Sequence, residues 1–468
     1  MTRSTATSRV LLFLVAGAFL ASCSDTGPVS VPADITPALS VQDADFTGDH
    51  ILSVSRGAFS TVSSAIASLG GSIVRSHDEA GIIIATGLSD DAVTTLQDMG
   101  GVQTLVADIA IQSGPDPGEL RTESMPAGAE LAGHDPTTAA FFPVQWDMRI
   151  IDADDAWAAG FSGSSAVTVA IIDSGIDPFH QDLVGRVDAS RSIAFVPSEN
   201  PIGPSWGDDR YHGTHVAGIV STNGIGTSGV APHTTLIAVK VCNKFGSCPF
   251  AAILSGIIHA ADNDSDVINM SLGFALGRSF PGGGALNALF AKAMNYAARK
   301  GVLVVSAAGN SSADLDHLGR DLGPVAAAVI AAPCESGNGV CIAATGPTDA
   351  PAGYTNFGRS AISVSAPGGD FVVTFNPLTS VVLAPCSSLS LIIPFCAGST
   401  TRYLFLQGTS MATPHVAGAA ALLDAQSGGA LNAAQLKTAL QRSADDLGKK
   451  GVDPFHGKGR INVFRLVN

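Results

Sequence analysis

The sequence predicts an α/β protein: a doubly wound, mostly parallel sheet preceded by a small α+β domain. From about residue 143 onward, continuous apolar runs alternate with segments of helical spacing, as expected of parallel strands that helices cover on both faces. Between about residues 49 and 112, shorter segments follow the order β-α-β-β-α-β. A chain of 468 residues is long enough for two or three domains, and its 52 glycines and 6% aromatic residues suit tight α/β packing.

Residues 1–22 have the features of a signal peptide. Two arginines in MTRSTATSRV precede the apolar run LLFLVAGAFL, which is too short for a comfortable transmembrane helix. The ending LASC resembles the lipobox of bacterial lipoproteins, which implies cleavage before Cys23 and a lipid on its thiol. An ordinary secretory signal with Cys23 near the cleavage site is the alternative.

Residues 23–48 are polar and contain prolines, which suits a flexible tether. We therefore expect an exported protein, held on the bacterial cell envelope by the lipid anchor or secreted after processing. The formal net charge of −15 argues against nucleic acid as a partner.

The cysteines other than Cys23 fall into three close pairs along the chain. In an oxidising compartment, three local disulfides are the economical pairing. The alternative is metal ligation, but the spacings are not CxxC and no histidine pair completes a tetrahedral set. The expected disulfides are Cys242–Cys248, Cys334–Cys341 and Cys386–Cys396.

The segment 49–112 predicts two helices and four strands in a ferredoxin-like order. The strands are HILSVS, SIVRSH, GIIIATG and VQTLVADIAIQ, and the helices are AFSTVSSAIASLGG and SDDAVTTLQDMGG. The following residues, 113–142, are rich in Pro, Gly, Glu and Ala and lack periodicity. They predict an exposed linker with the processing site.

The region 143–468 predicts the doubly wound domain. Its expected parallel strands are AVTVAIID, TTLIAVKV, DVINMSL, GVLVVSAAG and VAAAVIAA, and the helices between them include GTHVAGIVST, FAAILSGIIHAADN and GALNALFAKAMNYAARK.

Four polar residues lie where such a sheet collects reactive groups, at the ends of strands and the starts of helices. Asp173 ends a buried strand, His212 opens a helix, Asn310 follows another strand, and Ser410 lies in GTSMATPH at a helix start. Each position alone has an ordinary structural explanation, as a turn residue or a helix cap. Together they supply a nucleophile, a base, a carboxylate to orient it and an oxyanion donor.

Five segments together resemble the subtilisin-like serine proteases: IIDSGID, HGTHVAGIV, INMSLG, SAAGN and GTSMATPHVAG, in that order. The resemblance extends from about Trp146 to GKGRINV near the C-terminus. It implies the subtilisin fold, endopeptidase activity and the order Asp-His-Ser. It also implies that the 49–112 domain is an inhibitory propeptide; an unrelated ferredoxin-like adaptor is the alternative.

The resemblance assigns a role to each catalytic residue. Asp173 orients His212, His212 takes the proton of Ser410, and Asn310 with the backbone N–H of Ser410 binds the oxyanion. This chemistry requires no cofactor. The expected substrates are proteins or peptides, and the expected intramolecular inhibitor is the propeptide.

The resemblance also assigns substrate-binding segments. Two of them match the walls of the first specificity pocket, and a third matches an edge strand that pairs with an extended peptide. Phe250 is expected in a more distant apolar pocket, with ordinary helix packing as the alternative. The residues of these three segments are Ser271, Leu272, Gly273, Ala307, Ala308, Gly309, Gly246, Ser247 and Cys248.

Two features depart from the family pattern. Asp182 in HQDL matches a ligand of the family's structural calcium site, but the loop STNGIGTSGVAP is shorter than the one that completes it. Calcium at Asp182 is therefore left open. A long segment, 369–406, precedes Ser410 and contains Cys386 and Cys396. We expect a disulfide-bonded flap near the cleft.

The sequence thus predicts a lipid-anchored serine endopeptidase made as a zymogen that processes itself. Two alternatives use the same fold: a catalytically dead binding protein, and another hydrolase such as an esterase. The intact set of four polar residues argues against the first alternative, and the extended edge-strand segment argues against the second.

Overall fold

A computed structural model describes residues 45–112, 121–125, 135–277, 282–317, 329–371 and 376–468. The described residues all belong to one compact unit, Thr36–Asn468. The predicted signal peptide, Cys23 and most of the tether lie outside the described residues.

The N-terminal domain has the predicted order of strands and helices. Its sheet has the order β2-β3-β1-β4, with antiparallel neighbours throughout, which is a ferredoxin-like arrangement. The side chain of Ser89 accepts a hydrogen bond from Ala92 N and caps the second helix. The elements are β1 (Asp45–Val54), α1 (Phe59–Ser68), β2 (Ser72–His77), β3 (Ile82–Thr86), α2 (Asp90–Gln97) and β4 (Val102–Gln112).

The N-terminal domain also has a hydrophobic core of its own, between its sheet and its two helices. The buried side chains of this core are Leu52, Val54, Phe59, Val62, Ile66, Ile83, Ala85, Leu96 and Leu105. A separate core is what an independently folding unit needs.

The main domain contains a seven-stranded sheet with the order β15-β14-β12-β10-β6-β8-β7, and all its neighbouring strands are parallel. The doubly wound prediction is therefore confirmed. The strands are β6 (Thr168–Asp173), β7 (Ile193–Ala194), β8 (Thr235–Lys240), β10 (Val267–Met270), β12 (Leu303–Ala307), β14 (Val340–Thr345) and β15 (Val364–Pro367).

Helices cover both faces of this sheet. Alternate residues of β6 point to opposite faces, so Val169 and Ile171 belong to one hydrophobic cluster while Ala170 and Ile172 belong to another. The first cluster contains α5 and α9, and the second contains α6 and α7. The main-domain helices are α3 (Trp146–Ile150), α4 (Ala153–Ala158), α5 (His212–Val220), α6 (Phe250–Asp262), α7 (Gly283–Arg299), α8 (Pro377–Ser380), α9 (Thr409–Gln426), α10 (Ala433–Ser443) and α11 (Val463–Val467).

One predicted parallel strand is wrong. The described part of VAAAVIAA is β13 (Val329–Ala332), which pairs antiparallel with β11 (Phe274–Gly277) in a separate two-stranded sheet. β14 takes the position next to β12 instead. An apolar run indicates that a strand is buried but not which strand it pairs with. The sequence pattern alone therefore could not distinguish a strand of the parallel sheet from a strand of a separate antiparallel pair.

The predicted linker is not wholly exposed. Within it, β5 (Arg121–Ser124) pairs antiparallel with β17 (Arg402–Leu406), which in turn pairs with β16 (Val382–Pro385). Further along, Ala140 N and Phe141 N donate to backbone carbonyls of the main domain at 3.0 and 2.8 Å. The open edge of β17 supplies the partner for β5, and side-chain periodicity gives no sign of such an edge. Residues 113–120 and 126–134 lie outside the described residues.

The N-terminal domain packs on the main domain along an edge and a face. At the edge, β4 pairs antiparallel with β9 (Ser247–Pro249), so that Ile111 lies opposite Cys248. At the face, Ile82, Ile84 and Ile109 belong to the same hydrophobic cluster as α6 and α7. The two domains therefore share one continuous apolar interface.

The three predicted disulfides are confirmed. They join Cys242 to Cys248, Cys334 to Cys341 and Cys386 to Cys396, with Cα–Cα distances of 4.1, 5.0 and 5.9 Å. None of the helices in the described ranges combines the length and the apolar character needed to cross a membrane.

Candidate active site

The carboxylate of Asp173 and the imidazole of His212 form a buried pair. Asp173 is the last residue of β6 and His212 the first of α5; each is 2% exposed. His212 Nδ1 lies 2.9 Å from both carboxylate oxygens, and Ser174 N donates to Asp173 Oδ1 at 2.7 Å. Because a carboxylate only accepts hydrogen bonds, Nδ1 carries the proton and Nε2 is left as the basic nitrogen.

The close approach of β6 and α5 requires a glycine. A Cβ on Gly213 would collide with Gly175 O and lie 3.2 Å from Asp173 Cβ. Any larger residue after His212 would therefore push the helix away from the strand end. His212 Nε2 is buried and has no hydrogen-bond partner within the described residues.

Ser410 lies in the first turn of α9, directly after Gly408 and Thr409. Its hydroxyl donates to Ser271 O at 2.9 Å, and Ser271 Oγ donates to Ser410 O at 2.7 Å. The serine is thus tied to the segment after β10. A hydroxyl bond between nucleophile and base often forms only when substrate is bound.

Asn310 follows β12 and is oriented by the start of α9. Its Oδ1 accepts hydrogen bonds from Thr409 N at 2.9 Å and from Thr409 Oγ1 at 2.8 Å. These two donors fix the oxygen, and within the part of the chain that the structure describes Nδ2 has no hydrogen-bond acceptor. Gly408 leaves room beside it, because a Cβ there would lie 3.4 Å from Asn310 Nδ2.

The two predicted pocket walls lie side by side. Ser271, Leu272 and Gly273 follow β10, and a Cβ on Gly273 would lie 3.2 Å from Ala307 O in the second wall. Gly309 has a φ of +101°, in the region that favours glycine, and its N–H donates to Thr409 Oγ1 at 3.1 Å. The structure therefore brings both walls to Ser410.

The predicted edge strand is already paired. Ser247 and Cys248 of β9 bond to Gln112 and Ile111 of β4, so a segment of this chain lies where an extended peptide is expected. Gly246 forms the turn before β9 with a φ of +83°.

Phe250 is fully buried and packs edge to face on Phe290, with ring centroids 5.7 Å apart. This geometry favours the helix-packing alternative, and its place in an outer substrate pocket stays a prediction.

Two further histidines near the site have other partners. Burial lowers the pKa of His215 to about 3, and its Nε2 faces Leu404 O at 2.9 Å. His415 on α9 contacts Met411 O and Asp147 Oδ2 through its two nitrogens. Neither side chain is arranged as a base for Ser410.

Sequence comparison agrees with this geometry. The model of the subtilase family, Peptidase_S8, matches residues 164–459. Thermitase of Thermoactinomyces vulgaris is 31% identical over 335 residues, which cover 71% of this chain and 99% of thermitase. The chain belongs to the subtilase family. It is a serine endopeptidase.

Two other proteins show the extent of the similarity. Subtilisin of Bacillus pumilus is 37% identical over 323 residues, covering 68% of this subtilase and 97% of that protein. The crystal structure of the epidermin leader peptide processing serine protease of Staphylococcus aureus has a TM-score of 0.72 at 20% identity. It covers 90% of this chain and 97% of its own, and at that identity it shows a shared fold.

The groups around Asp182 do not suit a calcium ion, which agrees with the short loop that left calcium open in the sequence. The Asp182 carboxylate is fully buried and accepts hydrogen bonds from the N–H groups of Ile225, Gly226 and Thr227 at 2.7–3.3 Å. Tyr403 Oη donates a further bond at 2.8 Å. Calcium needs oxygen ligands, whereas these partners are hydrogen-bond donors. No group of three or more His, Cys, Asp or Glu residues in the described ranges is placed to hold a metal ion.

The predicted flap has contacts that sequence reasoning missed. The described part of segment 369–406 packs against α5, where Pro385 fills the space beside Gly218 and Leu404 O faces His215. It supports the helix that carries His212. Asp177, through its carboxylate, and Asp208, through its backbone oxygen, accept hydrogen bonds from this segment. Both aspartates lie a few residues from a glycine, a sequence signal too common to single them out.

We predict that Tyr403→Phe lowers the free energy of unfolding by about 1–3 kcal/mol, because it leaves a buried carboxylate without one of its donors. Urea denaturation in a Ser410→Ala background, which prevents self-digestion, measures the loss. Tyr296→Phe is the matched control, since its hydroxyl also bonds a carboxylate, that of Asp262, which is 42% exposed. An equal loss in both variants would count against the anchoring role of Tyr403.

Proposed function

We propose that this subtilase cleaves peptide bonds through a triad of Asp173, His212 and Ser410, with Asn310 in the oxyanion hole. The observation that carries the proposal is the buried pair of Asp173 and His212. Nε2 of His212 has no partner among the described residues, and it is the proton acceptor that a serine nucleophile needs. The two hydrogen bonds from Thr409 to Asn310 Oδ1 orient the amide, so that Nδ2 adds a donor at the site.

Each residue has one chemical task in this mechanism. The Ser410 hydroxyl leaves Ser271 O, attacks the scissile carbonyl carbon and gives its proton to His212 Nε2. Asp173 stabilises the imidazolium that forms, and His212 then protonates the leaving amine. Asn310 Nδ2 and the backbone N–H of Ser410 donate to the oxyanion as its charge develops. Water repeats the sequence to hydrolyse the acyl-enzyme.

We further propose that the N-terminal domain inhibits the enzyme until the chain cuts itself. Its last strand, β4, already lies on β9, where an extended substrate would pair. Lys292 Nζ of α7 donates to Ser53 Oγ at 2.7 Å and Gly81 O at 2.8 Å, which adds polar contacts to the apolar interface. Strand β5 and residues 135–142 bond to the main domain, which favours processing that leaves them attached to it.

The lipid anchor is also part of the proposal. It rests on the LASC ending and on the polar tether that follows it. The ending and residues 23–44 of the tether lie outside the described residues. The anchored chain would act on proteins or peptides that reach the cell envelope.

We predict that Ser410→Ala lowers kcat by a factor on the order of 10⁶, as in subtilisin, a relative in which triad members act as a unit. Asn310→Ala should cost about 10²–10³ in kcat, the loss measured for the equivalent donor in subtilisin. Casein cleavage is the assay, with a short ester beside it, and fluorophosphonate labelling counts the reactive serines. Full activity of Asn310→Ala would remove it from the oxyanion hole.

We predict that the N-terminal domain, residues 45–112, binds and inhibits a main domain that begins at Arg121, and speeds its folding because non-local parallel pairing is slow. Starting at Arg121 keeps β5 on β17. An active main domain that folds equally fast alone, and is not inhibited, would leave only the adaptor alternative.

This docking should depend on pH through Asp108. Burial raises the pKa of Asp108 from 3.8 to about 6, although Ala251 N and Thr47 Oγ1 both donate to it at 2.8 Å. Because the pKa of Asp108 is raised in the docked state, the protonated carboxyl favours docking. This favourable contribution to the docking free energy is complete below pH 3.8 and is lost as the pH rises through about 6. Affinity should therefore fall by up to about 10²-fold from this source.

Asp108→Asn isolates that effect, because the amide keeps an acceptor for Ala251 N and does not titrate. Binding of the wild-type and variant domains to a Ser410→Ala main domain is followed by fluorescence at several pH values. Burial lowers the pKa of His77, which makes docking stronger as the pH rises and so opposes the effect of Asp108. The wild-type and Asp108→Asn domains both contain His77, so its effect cancels in the comparison. Parallel pH profiles would show that Asp108 contributes nothing.

We predict that Cys23→Ser releases the protein from membranes or blocks its maturation, because two acyl chains supply the apolar burial for stable anchoring. Cell fractionation and N-terminal sequencing provide the measurement. A wild-type protein that is wholly soluble, with its mature N-terminus away from Cys23, would contradict the anchor.

A further inference from the structure

We propose that Asp208 is a positioning residue that holds Asp173 and His212 in register, and that the disulfide-bonded segment 369–406 holds Asp208 in place. The proposal rests on the triad proposed above. Asp208 does not contact His212 through its carboxylate; it acts through the residues on either side of the pair.

On the helix side, one carboxylate oxygen of Asp208 fixes the first turn of α5. Oδ2 accepts from Thr214 N at 2.9 Å and from Thr214 Oγ1 at 2.6 Å. Thr214 is two residues beyond His212. A carboxylate at a helix N-terminus also interacts favourably with the helix dipole.

On the strand side, the other oxygen fixes the residue after Asp173. Oδ1 accepts from Ser174 Oγ at 2.9 Å and from Arg210 N at 3.0 Å. Ser174 Oγ in turn accepts from Gly213 N at 3.0 Å, while Ser174 N donates to Asp173 Oδ1. The Asp208 and Ser174 side chains therefore connect the end of β6 with the start of α5.

Segment 369–406 is attached to the same place. Ser387 Oγ donates to the backbone oxygen of Asp208 at 2.6 Å, and Leu391 N donates to Asp209 O at 2.9 Å. Ser387 and Leu391 both lie between Cys386 and Cys396, whose disulfide closes this part of the segment.

A second link runs through Asp177. Ser388 donates to Asp177 Oδ2 from its backbone N at 2.7 Å and its hydroxyl at 2.6 Å. Asp177 N donates to Thr214 Oγ1 at 3.0 Å. Segment 369–406 thus reaches the first turn of α5 by two routes, through Asp208 and through Asp177.

The burial of Asp208 makes these bonds specific. Its side chain is fully buried, and four donors share its two oxygens. The nearby ammonium of Lys240 forms its ion pair with Asp209, at 2.7 Å. Removing a donor from a buried carboxylate costs free energy. Asp208 and its four donors are therefore held in a single arrangement.

This arrangement matters for catalysis because the imidazole must stay within hydrogen-bond reach of both Asp173 and Ser410. A misplacement of about 1 Å can cost about 10²-fold in rate. Substrate affinity depends on the pocket walls and on β9, which Asp208 does not contact through its carboxylate, so KM should change little.

The test compares Asp208→Asn with Asp266→Asn. Asn has the shape of Asp but places an NH₂ group against Arg210 N or Thr214 N. Asp266 is a matched control because it also accepts from a threonine N–H and hydroxyl, those of Thr168, at 2.7 and 3.1 Å. Thr168 begins β6, at the end opposite Asp173.

With active sites counted by fluorophosphonate titration, Asp208→Asn should lower kcat by about 10–100-fold and change KM less than about threefold. Asp266→Asn should leave both unchanged. An unchanged kcat in Asp208→Asn, an equal loss in both variants, or a loss in KM alone would overturn the proposal.

If Asp208→Asn does not fold, Ser174→Ala gives the same test, since it removes the hydroxyl that joins Asp208 to Gly213 N. It should lower kcat with little change in KM, and wild-type kcat would overturn the proposal. His212→Ala distinguishes failure of the triad proposal from failure of the Asp208 proposal. Full activity of His212→Ala would overturn the triad. The Asp208 proposal is judged separately, on variants whose Ser410 still reacts with fluorophosphonate.

Discussion

The active site depends on the parallel pairing of β6 with β10 and of β10 with β12. Parallel strands end at the same edge of a sheet, so this pairing alone brings Asp173, Ser271 and Asn310 to one place. Helices α5 and α9 then begin at that edge and deliver His212 and Ser410. The register of three buried strands therefore sets the geometry on which the chemistry rests.

The three disulfides support different sides of this edge. Cys242–Cys248 closes the turn that leads into β9, and Cys334 Sγ lies 3.4 Å from Ala307 O in a pocket wall. Cys386–Cys396 closes the segment that reaches the loop before His212. Short covalent loops restrain surface segments that lack a large core of their own, and export, as proposed for this chain, would place the enzyme where such bonds persist.

The N-terminal domain is joined to the enzyme by backbone strand pairing, the kind of interaction proposed above for a substrate. Its strand β4 adds to β9 by backbone hydrogen bonds, while its apolar face covers α6 and α7. Backbone pairing accepts many sequences, and the side-chain contacts of Lys292 and Asp108 add specificity for this domain. The arrangement combines a substrate-like strand with a partner-specific surface.

The sequence by itself determined the fold class and the disulfide pairs, and it singled out the candidate site residues and predicted two domains, because each depends on local pattern or on a distinctive motif. Strand SIVRSH and helix FAAILSGIIHAADN lie where their periodicity predicts them. Only the tertiary structure decided which strand pairs with β12 on its outer side, because an apolar run indicates a buried strand but does not indicate its neighbour. The same holds for β5, which depends on the open edge of β17, and for Asp182, whose hydrogen bonds come from a loop and from Tyr403, 221 residues away in sequence. Strand pairing and the partners of a buried carboxylate depend on contacts between segments far apart in sequence. A local sequence pattern does not indicate those contacts.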